Sequence, residues 1–347
     1  MSFRDEMNEQ PMVLRNCVET LFEKQETTEN LRYMLRNGKY HSFIFTGMGS
    51  SLYAGYIPVY YLRQKGIHAA AMETEELIQL KDSLFNSETL LVAVSQSGES
   101  PEVIDLISKF NKKNNFIAVT NYPKSRLNAL SNFTVPICAG TEYYTSTKTY
   151  TNTLAVMNYL SFVLSGEFDK LESLGAGIKE TALEIEEILA QESLENDMAD
   201  FLADIEFLIC VGSGYSYTTA SHSEVITEEA AKIYSSRYTP AQFIHGPIEL
   251  IKRGFGVVLY DFNPLFHKRC TDVCSSVLRY GGKVLYITNN SEIKPEKNKY
   301  IRTVHADNPF ISPLAEIIPL EAAIDTLVTR RGLETGKLSR VIKRMAI

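Results

Sequence analysis

Apolar positions along this chain fall into two alternating patterns. One is a short continuous run, and the other is a longer stretch with apolar residues three and four apart. Residues 4–37 show the second pattern in "NCVETLFEKQ" and "ENLRYMLRNG", with Gly38 placed to end the last turn. The runs "SFIFTG" (42–47), "TLLVAV" (89–94), "NFIAVT" (115–120) and "FTVPI" (133–137) then read as strands. "SSLYAGYIPVYYLRQKG" and "PEVIDLISKFNKK" lie between them and read as helices. Alternation at this spacing predicts a parallel sheet with helices on both faces.

Residues 166–204 change character. "KETALEIEEILAQESLENDMADFLADI" is acidic and amphipathic, which suits a helical connector. The strand pattern then resumes with "EFLICVG", "GVVLYDF", "KVLYITN" and "YIRTVHA". "SGYSYTTASHSEVITEEAAKIY" reads as one long helix. The second half repeats the first. "LICVGSGYS" aligns with "FIFTGMGSS", so that Gly212 and Gly214 stand opposite Gly47 and Gly49. The expected organisation is α/β with two similar subdomains: a helical segment over 1–37, one subdomain over 38–165, a connector over 166–204 and a second subdomain over 205–347.

Ligands of open α/β sheets settle beyond the carboxyl ends of the strands. Two such ends in the first half are rich in hydroxyls. "GMGSS" carries Ser50 and Ser51, and "SQSGES" carries Ser95, Gln96, Ser97 and Ser100. Ser100 followed by Pro101 is a helix start, so the loop lies ahead of backbone N–H groups and a favourable dipole. Gly98 permits close approach of the backbone. This is a cradle for an anion such as phosphate, built without lysine. The same serines, taken singly, also serve as turn formers. A third hydroxyl-rich segment, "YYTSTKTYTNT", holds Ser146 and Thr147 and also runs into a helix.

Composition narrows the setting. Of 347 residues, 44% are hydrophobic and 22% charged, which allows two ordinary globular domains. The polar "MSFRDEMNEQ" lacks a signal-peptide core, and no apolar run reaches a membrane span, so a cytoplasmic protein without a membrane partner is expected. The net charge of −7 comes with no basic stripe, so no nucleic acid partner is expected. The five cysteines follow no metal-ligand spacing and read as free thiols.

Taken together, "GMGSSLYAG", "VSQSGES", "TSTKTY" and "EEAAKIYSSRYTPAQFIHGPIELI" resemble the sugar isomerase (SIS) domain family. Within it they are similar to the isomerase half of glucosamine-6-phosphate synthases and to fructosamine-6-phosphate deglycases. The resemblance covers the chain from about residue 35. It implies two tandem SIS subdomains. It also implies sugar-phosphate contacts at Ser50, Ser51, Ser95, Gln96, Ser97, Ser100 and Ser146, a catalytic base at Glu229 and a ring-opening histidine at His245. In the synthases that histidine comes from a neighbouring subunit, which implies a homodimer. No metal or organic cofactor is implied. The departures are a missing glutaminase half, "LYDFNPL" in place of a second phosphate loop, and a tail whose family lysine is replaced by Arg340, with Lys343 nearby. A cationic contact to substrate remains for Arg340.

The residues themselves carry a parallel argument. Moving a double bond between C1 and C2 of a sugar needs a base near those carbons and a donor for an oxygen. Glu229 falls in a helical pattern followed by the apolar "AAKIY", where partial burial raises a carboxyl pKa. His245 sits in "FIHGP", a turn that suits proton exchange near neutral pH. A solvated helix face and a capping role are the plain alternatives. The expected activity is cleavage of a fructosamine-type hexose 6-phosphate to glucose 6-phosphate and a free amine. The alternatives are a glucosamine-6-phosphate isomerase or deaminase, and a non-catalytic sugar-phosphate sensor.

Overall fold

The computed structural model describes residues 2–24, 26–109, 116–338 and 340, apart from the side chains at 81 and 82. The first sheet holds β1 (Ser42–Gly47), β2 (His68–Glu73), β3 (Thr89–Val94), β4 (Phe116–Thr120) and β5 (Phe133–Pro136). Its order is β2-β1-β3-β4-β5, and every pair is parallel. The second holds β6 (Phe207–Val211), β7 (Tyr234–Tyr238), β8 (Phe255–Asp261), β9 (Lys283–Thr288) and β10 (Lys299–Thr303). Its order is β10-β9-β8-β6-β7, again all parallel, which is the same winding counted from its own first strand. The two sheets, flanked by helices, are the duplication that the paired G-x-G turns predict. Asn115 and the end of "PEVIDLISKFNKK" lie outside the described residues, as does the tail from 341, Lys343 included.

Strands β3 and β8 are buried along their whole length. Each is central in its sheet, so both faces are covered by helices and the run is apolar without alternation. On one face of the first sheet Leu91, Ala93 and Ile44 pack with Val103, Ile104 and Leu106 of the helix Pro101–Ser108. On the second, Val257 and Leu259 pack with Cys270, Val273, Cys274 and Val277 of the helix His267–Arg279. Each such aliphatic side chain contributes about 1.5–3 kcal/mol on burial. Cys17 and Cys210 are buried as well, and all five thiols are free.

Two compact units contain these sheets. Among the described residues, one comprises Met12–Glu142 and Lys148–Glu180, and carries the first sheet. The other comprises residues 2–11, Tyr143–Thr147 and residues 181–340, and carries the second. The N-terminal helix Phe3–Asn8 starts on a capping box, Ser2 with Asp5, and belongs to the second sheet's unit. There Arg4 bonds to Glu195 and Asp325, each at 2.7 Å, and Gln10 bonds to Glu321 at 2.7 Å. Among the described residues, no helix is long and apolar enough to cross a membrane.

Two strands differ from the sequence reading. β2, "HAAAME", is an edge strand that hydropathy alone does not announce. β7 begins at Tyr234, the last residue of what reads as one long helix over 213–234. That helix ends at Glu229, Ala230 is its C-cap, and Lys232 adopts φ +57°. A left-handed residue cannot continue the helix. "AAKIY" is therefore the turn into β7 and not an apolar helix face. Just beyond His245, Pro247–Leu250 forms a 3₁₀ turn.

Candidate functional site

The switch point of the first sheet lies between β1 and β3, where the strand order reverses. Gly47 ends β1 with no room for a side chain: a Cβ would lie 2.6 Å from the Val94 carbonyl oxygen. Gly49, at φ +51°, is the N-cap of the helix Ser50–Ala54 and starts it on the two serines, both half-buried. After β3 the chain turns through Ser95–Ser100. Ser100 occupies the N-cap ahead of Pro101, as its position predicts. Its hydroxyl makes no cap bond. It pairs with Ser95 Oγ at 2.9 Å.

The hydrogen bonds of this loop decide what it can donate. Ser95 Oγ accepts from Gly98 N–H at 3.1 Å, and Ser97 Oγ accepts from Glu99 N–H at 3.1 Å. A hydroxyl that accepts a backbone N–H keeps its own proton for another partner. The Ser95–Ser100 pair uses one of its two protons internally. Gln96 anchors its backbone through its carbonyl, which accepts from Asn121 N–H at 3.0 Å. Its amide Nε2 is buried and has no hydrogen-bond partner among the described residues. A buried amide donor without a partner costs about 1–3 kcal/mol, which an added polar partner would relieve. Glu99 turns its carboxylate away to Arg126 N–H, at 2.7 Å, the first residue of the helix Arg126–Leu130.

In the second unit, Glu229 is half-buried at the last position of the helix Ser216–Glu229. It lines a cavity of about 640 Å³ together with Lys232, Tyr234, Leu338 and Arg340. Lys232 Nζ donates to the carbonyls of Glu229 and of Lys337, the latter at 3.2 Å. Glu229 and Arg340 thus share one cavity. His245 is not among the residues that line it. It is exposed and is the C-cap of the helix Pro240–Ile244, whose N-terminus carries a Thr239–Gln242 capping box.

Ser146 lies in the segment Tyr143–Thr147 of the same unit. Its backbone holds a hydrogen bond from His222, a fully buried imidazole. Burial pushes His222 down to about 3, against the raising effect of that bond, so the ring is neutral. A second buried group, Glu316, is one that sequence reasoning did not single out. Its carboxyl accepts from Ser216 at 2.9 Å, Thr219 at 2.7 Å and Ser312 at 2.5 Å. Burial pushes it up to about 7, although those three hydroxyls act in the other direction. Glu224, on the helix Ser216–Glu229, pairs with Arg237, and burial raises it too.

Two parallel five-stranded sheets of like winding, each with a glycine turn at its switch point, define an α/β fold of two similar halves. Residues 35–162 match the SIS domain, and the chain is similar to isomerizing glutamine–fructose-6-phosphate aminotransferases. The aminotransferase of Thermococcus kodakarensis is 24% identical over 99% of this chain and 57% of its own length. The chain spans about half the length of the curated relatives it matches. Among solved structures, the C-terminal domain of the Francisella tularensis glucosamine-fructose-6-phosphate aminotransferase superposes with a TM-score of 0.80 at 20% identity. That match covers 97% of this chain and 98% of the other. Glucosamine-6-phosphate deaminase from Thermotoga maritima gives 0.71 at 18%, over 96% and 100%.

Proposed function

We propose that this protein is an enzyme that cleaves a fructosamine-type hexose 6-phosphate to glucose 6-phosphate and a free amine. The observation that carries the sugar-phosphate half of this reading is the buried, unpartnered Gln96 Nε2 beside the donating hydroxyls of Ser95 and Ser97. Ser50, Ser51 and Ser100 complete the neutral donor set, and Ser146 is assigned a sugar contact. Such donors hold a phosphate through hydrogen bonds and the helix N-terminus, in a protein whose overall charge is negative. The homologues, named for fructose 6-phosphate and glucosamine 6-phosphate, support the same substrate class.

The chemistry assigned to the second unit is proton transfer. His245 assists opening of the ring, which exposes a C2 carbonyl. Glu229 removes a proton from C1, the C1–H electrons form the C1=C2 bond, and the C2=O π electrons move to the oxygen, which takes up a proton to give an enaminol. Return of a proton to C2 leaves a C1=N imine. Water adds at C1, the C–N bond breaks, and the amine leaves with the proton it needs. One water is consumed, and no electrons are gained or lost. Arg340, in the Glu229 cavity, is assigned a cationic contact to substrate. Exposed on its own chain, His245 is assigned to the site of a second copy, so the working form is a homodimer in the cytoplasm.

A second reading, isomerisation or deamination of glucosamine 6-phosphate, is favoured by the Thermotoga maritima neighbour. A panel separates the two. The protein is incubated with amino acid conjugates of fructosamine 6-phosphate, with glucosamine 6-phosphate and with fructose 6-phosphate, while glucose 6-phosphate and amine are followed. Release of both from the conjugates is expected. Turnover of glucosamine 6-phosphate alone selects the second reading. Tight binding with no turnover selects a sensor. Glu229→Gln is expected to bind glucose 6-phosphate as the wild type does and to lose about 10²–10⁴-fold in rate. A full rate in that variant removes Glu229 as the base.

A further inference from the structure

The segment Tyr143–Thr147 is five residues long, and its neighbours in the fold come from three distant parts of the chain. Glu6, in the N-terminal helix, is fully buried, and its two carboxylate oxygens accept from Tyr143 N–H at 2.5 Å and Tyr144 N–H at 3.2 Å. From the other end of the sequence, the Gly336 carbonyl accepts from Thr145 N–H at 3.0 Å and from Thr145 Oγ1 at 3.2 Å. Glu334 accepts from Tyr144 Oη at 2.9 Å. His222 holds the backbone of Ser146. Successive N–H groups at 143, 144 and 145 are thus all taken by fixed acceptors, and two of the three go to one side chain. The carboxylate of Glu6 is itself fully buried, and a buried carboxylate is costly unless it is hydrogen-bonded, so Glu6 and the N–H groups of Tyr143 and Tyr144 hold one another in this conformation.

We propose that Glu6 is a positioning residue: it fixes the backbone of 143–147 so that Ser146 is presented to the sugar phosphate. This rests on the reading above that Ser146 contacts that ligand. The N-terminal helix then has a role in ligand binding although it precedes the first strand by more than thirty residues. Its capping box and the Arg4 pairs to Glu195 and Asp325 fix the helix that carries Glu6. The pair acts as one unit, with Glu6 ordering the loop and Ser146 making the contact.

The test is a double-mutant cycle on the full chain, with glucose 6-phosphate as the probe and its Kd read by calorimetry. Ser146→Ala is expected to weaken binding about tenfold, the order of one lost hydrogen bond. Glu6→Gln is expected to weaken it by a similar factor, and the double variant by no more than either single one. In parallel, hydrogen exchange followed by mass spectrometry on Glu6→Gln should quicken in the peptide spanning 141–148 and not in β8. That measurement reads the folded molecules even if the variant is less stable. A weakened Ser146→Ala beside a Glu6→Gln that binds normally, or fully additive effects, overturns the proposal. An unchanged Ser146→Ala overturns instead the sugar contact on which it rests.

Discussion

Ser216 Oγ donates to the carboxyl of Glu316 at 2.9 Å, and Ser216 stands 165 residues after Ser51, in the same place behind the second glycine turn. The second unit has thus given the hydroxyl behind its own glycine turn to an internal carboxyl. At the end of β8 it also places a buried carboxylate, Asp261, which bonds to His267 Nδ1 at 2.6 Å and to Tyr286 Oη at 2.7 Å. Ser95 occupies the corresponding place behind β3. Two acidic groups where the first unit presents neutral donors disfavour a second phosphate. Titration with glucose 6-phosphate is therefore expected to give one site per chain. Ser97→Ala should weaken that site, and Ser216→Ala should leave it unchanged. Two sites per chain, or equal effects of the two substitutions, would count against this.

Gly98 has no tolerance for a side chain. It sits at φ +64°, and a Cβ there would lie 2.2 Å from Ser125 Oγ and 2.8 Å from Thr120 Oγ1. Gly98→Ala therefore combines a left-handed alanine, about 1–2 kcal/mol, with overpacking of about 1–3 kcal/mol. Gly49, at φ +51°, meets nothing within 4 Å, so Gly49→Ala bears the backbone cost alone. Urea melts should rank Gly98→Ala well below Gly49→Ala in stability. Equal losses would show that the packing around Gly98 is looser than described.

The sequence exposes some of these features and hides others for identifiable reasons. β1, β3 and β8 are legible because central strands are buried on both faces and read as unbroken apolar runs. β2 and β7 are not, and they hold the same place in the two sheets, each the edge strand beside the first strand of its sheet. "HAAAME" is rich in alanine, a strong helix former, and "YSSRY" has no apolar run. Missing β7 is what misplaces the surroundings of Glu229. The serine loop is legible because its hydroxyls and Gly98 follow a strand directly. Glu6 leaves no local signal, since the N–H groups it accepts from lie more than 130 positions away, and of the three hydroxyls on Glu316 only that of Ser312 is near in sequence.

Glu316 and His222 set opposing pH dependences on one helix and its neighbours. Glu316 has an ordinary value of 4.5 and about 7 in the fold, so the folded state holds its proton more tightly. The stability this gives is complete below 4.5 and is lost as pH rises through 7. His222 has an ordinary value of 6.5 and about 3 in the fold, so the folded state gives up its proton more readily. Its stability is complete above 6.5 and is lost as pH falls through 3. Between pH 4.5 and 6.5 the two slopes, each up to about 1.4 kcal/mol per pH unit, cancel. Removing either group exposes the other. Glu316→Gln is expected to lose stability on acidification below pH 6.5, relative to wild type, while His222→Asn is expected to lose it as pH rises from 5 to 7. Urea unfolding of the three proteins at pH 5, 6, 7 and 8 reads this as a difference from wild type, which removes the background of other titrating groups. If the difference for Glu316→Gln stays constant across that range, its carboxyl is ionised throughout and the three hydroxyls outweigh burial.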